Sequence, residues 1–410
     1  MTDLVTAAPP VVRRRTDVQL PSLTGLRFFA ASAVFLFHSS RINPPLTPFR
    51  GSAAHWFSLV GTQAGWVGVS FFFLLSGFVL TWAAKPGDSS RRFWRRRFVK
   101  LYPNHVVTFI GTVVLLSVSV PWWRWLPNLL LIQTWFPTAH LATVFSVDQP
   151  SWSLSCEIVF YLCFPALHRL LAKIPPARLW AWTGAVAAAV FVVAVIAQFA
   201  LPGAPMSPVP GGPVFPASEW QVWVVYAFPP ARMLEFVLGM LLARLVLTGR
   251  WINLPLVPAL LFFFGAYAAA HEVPWTFSAV AVCLIPLAVL IPTVATLDVY
   301  RPPSPFGGTV LVWLGEVSFA FYLVHGPVLG YVRSKVDFAV FGPWTAAGMV
   351  LLPFAIAVSA AWLLHTLVEM PMMRRFSKPA SAVRDTAREP AEVAVASTAG
   401  GIEPSESGTG

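Results

Sequence analysis

The stretch LTGLRFFAASAVFLFHSS, Leu23–Ser40, decides how this sequence folds. It is an apolar helical segment with two polar interruptions, Arg27 and His38, which lie eleven residues apart. At about 100° per residue this spacing makes three turns plus roughly 20°, so both side chains point to one face and lie roughly 16 Å apart along the axis. Ionisable groups inside a membrane helix are costly and indicate a functional site. An interfacial arginine and a hydrogen-bonded packing histidine are the structural alternative.

The composition of the chain indicates a membrane protein. Of its 410 residues, 57% are hydrophobic and only 11% are charged, against about 25% charged residues in soluble domains. The net charge of +11 does not indicate nucleic acid, because the basic residues cluster beside apolar segments, where they orient helices and meet anionic lipid. The three cysteines lie in apolar stretches, and their spacing suggests neither a metal site nor a disulfide framework.

Hydropathy predicts an all-α, polytopic integral membrane bundle of about ten transmembrane helices. We expect an N-terminal cytoplasmic tail at 1–20, a membrane domain at 21–376 and a disordered cytoplasmic tail at 377–410, where large apolar residues are few. The predicted spans are roughly 24–42, 65–84, 102–120, 152–172, 179–200, 231–248, 255–270, 275–294, 311–332 and 346–367.

The lysine and arginine residues predict the orientation of this bundle in the cell membrane. Seven of them lie in Lys85–Lys100, between the second and third spans, and a triplet at Arg13–Arg15 precedes the first span. The predicted outer segment 121–151 contains one arginine, Arg124, and no lysine. By the positive-inside rule, both termini are cytoplasmic. The basic run also suits a phosphate-bearing cytoplasmic ligand, with topology and lipid binding as the structural alternative.

Further polar side chains interrupt the apolar spans. The sixth span begins with Arg232 and Glu235 at i, i+3, a spacing that predicts a structural ion pair. Other polar groups lie at the predicted outer end of the fourth span and within the ninth, and they are Trp152, Ser153, Ser155, Glu157, Tyr322 and His325. Because such groups avoid lipid, we expect them to converge in a cavity between the helices.

Taken in order, these segments resemble the membrane-bound acyltransferase family 3, whose members O-acylate sugars and secondary metabolites. The resemblance covers roughly residues 20–371, nearly the whole membrane domain. The segments that carry it are Arg27–His38, FFFLLSGFVL at Phe71–Leu80, RRRFVKLYP at Arg95–Pro103, WSLSCEIVFYLCFP at Trp152–Pro165, and the stretches RMLEFVLG and SFAFYLVHGP of the sixth and ninth spans.

Two positions depart from the family pattern. Lys100 stands where the family usually carries the second arginine of a pair spaced by three residues, after Arg97. Lysine keeps the charge but cannot form the bidentate contact of a guanidinium. Ile158 stands where many relatives have a second acid after Glu157, which weakens any mechanism that needs paired carboxylates.

The resemblance implies an acyl-CoA-dependent O-acyltransferase. The acyl group, most often acetyl in this family, would move from cytoplasmic acyl-CoA to a hydroxyl of a sugar, a cell-surface glycan or a secondary metabolite such as a macrolide. Acyl-CoA would be a co-substrate, with no cofactor bound permanently and no metal.

The resemblance and the chemistry of acyl transfer together assign roles to the candidate residues. His38 is the expected general base, and Glu157 either orients it or binds acceptor hydroxyls. Arg27, Arg97 and Lys100 are expected to bind the CoA phosphates. Candidates for stabilising the oxyanion or binding the acceptor are Trp152, Ser153, Ser155, Tyr322 and His325.

Two alternatives remain open at the level of the sequence. A covalent relay through Ser153 or Ser155 competes with direct transfer. The second function considered is a transporter or exporter that moves a glycan or small molecule with buried His and Glu residues, although the sequence shows no repeated halves of the kind common in transporters.

Overall fold

The structure is a computed structural model, and it describes residues 18–41, 46–85, 87–119, 121–136, 147–204, 216–252, 254–300 and 304–376. Within these ranges the chain is helical and has no β-strand, and Phe49 and Phe341 form an isolated β-bridge. The predicted tail at 377–410 and all but the last three residues of the predicted tail at 1–20 lie outside the described residues.

Ten long helices occur in the described part of the chain, and each overlaps one predicted span. They are α1 (Pro21–Ser40), α2 (Gly51–Trp82), α3 (Ser90–Leu116), α4 (Trp152–Ala172), α5 (Leu179–Ala200), α6 (Pro229–Leu247), α7 (Leu256–Ala269), α8 (Ala281–Tyr300), α9 (Thr309–Ser334) and α10 (Pro343–Leu364).

Seven of these helices, all except α1, α6 and α7, lie in segments long and apolar enough to cross a membrane. Helices α1 and α6 carry intramembrane charges, and α7 has only 14 residues. The all-α membrane architecture is therefore confirmed, whereas the number of spans stays a prediction.

Two helices are longer than hydropathy predicts. Helix α2 begins at Gly51 rather than near residue 65, and α3 begins at Ser90, so most of the basic run forms the first turns of α3 instead of a loop. The Ser89 side chain caps α3 by accepting a hydrogen bond from the backbone N–H of Arg92, and arginine and lysine favour helix. Hydropathy misses these turns because it detects only the apolar part of a helix.

A tight helix crossing joins α2 to α6. A Cβ atom on Gly77 of α2 would clash with the carbonyl oxygen of Phe236, and one on Gly239 of α6 would clash with the carbonyl oxygen of Leu74. Small residues let two membrane helices approach until their backbones touch. This crossing fixes the position of α2, which also packs along α1.

The variant Gly239→Ala tests this crossing. We expect it to lower the free energy of unfolding by roughly 1–3 kcal/mol, because the added methyl group forces the two backbones apart. The matched control is Gly184→Ala in α5, where nothing lies within 4 Å of the added Cβ, so this variant should be neutral or stabilising. Thermal unfolding in detergent measures both, and equal unfolding temperatures for the two variants would contradict the packing argument.

Candidate functional site

A cavity of about 170 Å³ lies between α1, α2, α3, α4 and α9. We call it the inner cavity. Its polar lining residues are Arg27, Ser76, Arg97, Lys100, Ser153, Glu157, Tyr161 and Tyr322. Three cations face one carboxylate, so the cavity carries a positive potential that suits an anionic ligand.

The cations of the inner cavity differ in their partners. The Arg97 guanidinium lies over the Phe93 ring at 5.6 Å, and its Nε atom has no hydrogen-bond partner among the described residues. The Lys100 Nζ atom lies 3.8 Å from Glu369 Oε1. Within the described ranges, no carboxylate oxygen lies within 4 Å of the guanidinium nitrogens of Arg27 or Arg97. These two arginines are therefore available to an anionic ligand.

A second pocket of about 20 Å³ surrounds His38, and we call it the outer pocket. Arg41 lies at its edge, and the remaining lining is mainly aromatic: Phe37, Trp66, Trp152, Tyr226 and Tyr322. A guanidinium group keeps its proton at neutral pH, so Arg41 supplies a positive charge to this pocket. The outer pocket thus combines aromatic faces, one cation and one imidazole.

The two cavities follow one another along the same helices. On α1, Arg27 lines the inner cavity and His38 lines the outer pocket, about 16 Å further along the axis. On α2, Leu80 lines the inner cavity and Trp66 the outer pocket. The helical face shared by Arg27 and His38 therefore borders both cavities.

A hydrogen bond joins the two intramembrane histidines. The Nδ1 atom of His38 lies 2.9 Å from Nε2 of His325, and Nδ1 of His325 lies 3.2 Å from the Phe321 carbonyl oxygen. The carbonyl can only accept, so Nδ1 of His325 carries a proton and its Nε2 accepts from Nδ1–H of a neutral His38. This network assigns the tautomer of His38 and leaves its Nε2 unprotonated.

The Tyr322 hydroxyl is held in place by the Ser153 hydroxyl and the Pro150 carbonyl. Its hydroxyl lies 2.9 Å from Ser153 Oγ, and both hydroxyls lie within hydrogen-bond distance of the Pro150 carbonyl oxygen, at 3.3 and 3.1 Å. Either hydroxyl can therefore satisfy the carbonyl while the other donates elsewhere. Ser153 and Tyr322 both line the inner cavity, and Tyr322 also lines the outer pocket.

The remaining predicted site residues lie in three different places. Glu157 lines the inner cavity and accepts a hydrogen bond of 3.1 Å from Tyr161, whereas the His38 ring donates its hydrogen bond to His325. Ser155 is fully buried, bonds to Thr134 at 2.6 Å and lines neither cavity. Trp152 lines the outer pocket.

A buried ion pair supports both cavity walls. The Arg232 Nη1 atom lies 3.1 Å from Glu235 Oε1, which also accepts a hydrogen bond of 3.1 Å from Ser70. The guanidinium lies over the rings of Phe73, which lines the inner cavity, and Tyr226, which lines the outer pocket, at 4.9 and 5.2 Å. The pair has the i, i+3 spacing that the sequence predicts, and it orients two aromatic walls.

Sequence reasoning did not single out several residues that line the two cavities, among them Arg41, Trp66, Tyr161 and Tyr226. Tyr161 had a visible signal, because it lies four residues after Glu157 and therefore shares its helical face. Trp66 and Tyr226 had none, since aromatic residues are frequent throughout this chain. In the part of the chain that the structure describes, no group of three or more His, Cys, Asp or Glu side chains could hold a metal.

Asp148 is a buried carboxyl group directly before the residues that anchor Tyr322. Its Oδ2 accepts a hydrogen bond of 3.2 Å from Thr108, and its Oδ1 has no hydrogen-bond partner among the described residues. Burial raises the pKa of the Asp148 carboxyl to about 7, and the Thr108 hydrogen bond acts in the opposite direction. This group therefore titrates near neutral pH.

Residues 20–365 match the protein family described as "Acyltransferase domain". Acyltransferase MdmB of Streptomyces mycarofaciens is 41% identical over 396 residues, which covers 91% of this chain and 97% of that protein. No solved structure matches the chain.

Two further relatives match over a shorter region. Peptidoglycan O-acetyltransferase OatA of Listeria monocytogenes is 28% identical over 174 residues, which covers 38% of this chain and 25% of that protein. Putative peptidoglycan O-acetyltransferase YrhL of Bacillus subtilis is 27% identical over 164 residues, which covers 36% of this chain and 23% of that protein.

The variant Asp148→Asn tests the burial of this carboxyl group. The folded-state pKa of about 7 lies above the unfolded value of about 3.9. Burial therefore destabilises the charged form, and stability falls as the pH rises from about 4 to about 7. We expect Asp148→Asn to raise the unfolding temperature more at pH 8 than at pH 5, with a difference in the free energy of unfolding of up to about 3 kcal/mol between the two pH values.

The matched control is Asp88→Asn, because a hydrogen bond from Arg96 lowers the pKa of Asp88. Asp88 is ionised at both pH values, so its contribution to stability does not change between them. We therefore expect Asp88→Asn to shift the unfolding temperature equally at pH 5 and pH 8. If Asp148→Asn shifts the unfolding temperature equally at both pH values, the carboxyl group does not titrate in this range.

Proposed function

The chain belongs to the acyltransferase family 3, and from that membership we propose that it transfers an acyl group from cytoplasmic acyl-CoA to a hydroxyl group that reaches His38 through the outer pocket. The protein is a multi-pass membrane acyltransferase. The observation that carries the proposal is the hydrogen bond of 2.9 Å between His38 and His325. It creates a neutral base next to a cavity lined by three cations.

Acyl-CoA fits the charge and the position of the inner cavity. Its phosphates need cations, and Arg27, Arg97 and Lys100 supply them at the end of the cavity where α3 begins. The predicted orientation places this end on the cytoplasmic side, where CoA thioesters are made. The extended pantetheine arm then spans the roughly 16 Å from the level of Arg27 to the level of His38.

The proposed reaction is direct transfer to an alcohol. The hydroxyl oxygen of the acceptor attacks the thioester carbonyl carbon while Nε2 of His38 takes the hydroxyl proton. The carbon–sulfur bond then breaks, and the imidazolium returns the proton to the departing thiolate. The products are the ester and free CoA thiol, so no proton is gained or lost overall.

His325 is the positioning residue for this base. When Nε2 of His38 becomes protonated, the Nδ1–H···Nε2 hydrogen bond to His325 becomes charge-assisted and stronger. A neutral imidazole can supply this stabilisation without the desolvation penalty that a buried carboxylate would add. The developing oxyanion needs a hydrogen-bond donor, and Tyr322 is positioned for this role because Ser153 can satisfy the Pro150 carbonyl in its place.

Direct transfer is favoured over a covalent relay by the positions of the two serines. Ser155 lines neither cavity, and no hydrogen bond between Ser153 and either histidine occurs within the described residues. A serine nucleophile needs an adjacent base to become reactive. The acceptor hydroxyl has such a base, because in the proposed reaction it reaches His38 directly.

The aromatic lining of the outer pocket suits a hydroxyl carried on a ring. The outer pocket, at about 20 Å³, has room for the hydroxyl group itself, and aromatic side chains such as Trp66 and Trp152 suit the apolar ring surface next to that hydroxyl. Relatives named as peptidoglycan O-acetyltransferases point to glycans. The family resemblance adds secondary metabolites such as macrolides.

The function is tested with purified protein in nanodiscs supplied with acetyl-CoA and either a peptidoglycan fragment or a macrolide. We expect release of CoA thiol that depends on the acceptor, and mass spectrometry should show an acetylated product. Movement of the acceptor across a vesicle membrane without acylation would instead support a transporter. Absence of thiol release with every acyl-CoA and acceptor tried would overturn the proposal.

Variants of the two histidines test their roles. We expect His38→Ala to lower kcat by roughly 10²- to 10⁴-fold, the usual contribution of a general base. His325→Ala should have a smaller effect, and His325→Gln should restore part of the activity, because its amide oxygen can accept from Nδ1–H of His38. His168→Ala is the control, since His168 lines neither cavity. If His325→Gln is no better than His325→Ala, the hydrogen bond to His38 is not what His325 contributes.

Substitution of Arg97 tests the phosphate contact. A charge-assisted hydrogen bond contributes about 1.5–3 kcal/mol, so Arg97→Ala should raise the KM for acyl-CoA about tenfold or more. The KM for the acceptor should change little. Arg91→Ala is the matched control, because Arg91 lies in the same basic run but is exposed and lines neither cavity. Equal effects at Arg91 and Arg97 would mean that the basic run orients the protein without binding the donor.

A further inference from the structure

The inner cavity and the outer pocket share two lining residues, Val69 of α2 and Tyr322 of α9. We call this pair the partition. Apolar residues of the inner cavity lie one helical turn from this pair, since Phe72 follows Val69 by three residues and Phe319 precedes Tyr322 by three, and the Ser153 hydroxyl bonds to Tyr322. Any group that passes from the cations to His38 must therefore pass between an isopropyl group and a phenol ring.

Neither side of the partition is free to move away. The Tyr322 hydroxyl is tied to Ser153 and to the Pro150 carbonyl. Helix α2 is pressed against α1 at the glycine directly before Val69: a Cβ on Gly68 would lie 2.7 Å from the Ala30 carbonyl oxygen. Because packed backbones transmit strain rather than yield, the width of the partition depends on the side chain at position 69.

The space beyond the partition is small. The outer pocket has a volume of about 20 Å³, and a cavity of roughly 10–15 Å³ on the same measure holds one water molecule. The pocket therefore has room for a group of one or two heavy atoms beside His38. A longer chain would have to displace the partition or the aromatic side chains around it.

We propose that Val69 is the specificity-determining residue that limits the length of the transferred acyl chain. This inference rests on the proposed function, in which the thioester enters through the inner cavity. A thioester held by its nucleotide end presents its acyl group first, ahead of the carbonyl carbon and the sulfur. Once the carbonyl carbon is within reach of a hydroxyl bound at His38, the acyl chain lies against Val69.

The variants Val69→Ala and Val69→Ile change the width of the partition in opposite directions. We expect Val69→Ala to raise the ratio of kcat/KM for butyryl-CoA over acetyl-CoA about tenfold, since one methylene group in an apolar pocket changes selectivity by about 10- to 200-fold. Val69→Ile should lower the same ratio. The ratio is measured within each variant, so a general loss of activity does not affect it.

The matched control is Val67→Ala. Val67 is a buried valine of the same helix, two residues away, and it lines neither cavity. This variant should keep the wild-type ratio while losing comparable thermal stability. If Val69→Ala does not yield folded protein, Val69→Ile decides whether Val69 limits the acyl chain. Its ratio of kcat/KM for butyryl-CoA over acetyl-CoA is then compared with the ratios of the wild type and of Val67→Ala.

The outcomes separate this inference from the proposed function. A wild-type protein that accepts acyl-CoA, with an unchanged ratio in both Val69 variants, would overturn the role of Val69 and leave the acyltransferase mechanism intact. A wild-type protein that releases no CoA thiol from acetyl-, propionyl- or butyryl-CoA would overturn the donor assignment and this inference together. Opposite shifts for the two Val69 variants, absent in Val67→Ala, would establish it.

Discussion

The hydrocarbon core of a bilayer offers no hydrogen-bond partners, and the polar interior of this bundle follows from that constraint. A charged or polar side chain in such a medium must pair with another side chain, bond to backbone, or line a cavity that contains water or ligand. All three solutions occur here. Arg232 pairs with Glu235, His325 bonds to the carbonyl of Phe321, and Arg27 faces the inner cavity. The polar side chains that cannot face lipid therefore lie around the two cavities between Arg27 and His38.

Close packing of the helices fixes the positions of these polar groups. The α2–α6 crossing brings two backbones into contact at Gly77 and Gly239. Helix α2, whose side chains line both cavities, is therefore held rigidly. The ion pair of Arg232 and Glu235 lies just beside this crossing and orients the Phe73 ring. A buried ion pair of this kind adds little net stability. Its contribution here is to orient the rings of Phe73 and Tyr226, which line the inner cavity and the outer pocket.

Periodicity and hydropathy were sufficient to predict the helical class, the approximate position of each long helix and the alignment of Arg27 with His38. They could not predict that the basic run forms the beginning of α3, because charged residues carry no apolar signal even when they are helical. They also could not predict the partner of His38. His325 lies 287 residues further along the chain, and such a contact depends on how α1 and α9 pack rather than on any local pattern. The sequence suggested Glu157 as that partner, but in the structure its carboxylate accepts a hydrogen bond from Tyr161.

The partition of Val69 and Tyr322 has a consequence for the bioenergetics of the cell. An enzyme with one substrate on each side of a membrane risks becoming a leak, because a continuous file of water between the two sites would conduct protons and dissipate the membrane potential. Between the inner cavity and the outer pocket lie the methyl groups of Val69 and the ring of Tyr322, which carry no fixed charge and would interrupt such a file. Under the proposed function, this barrier between the two cavities would let acyl transfer proceed while the membrane stays electrically insulating.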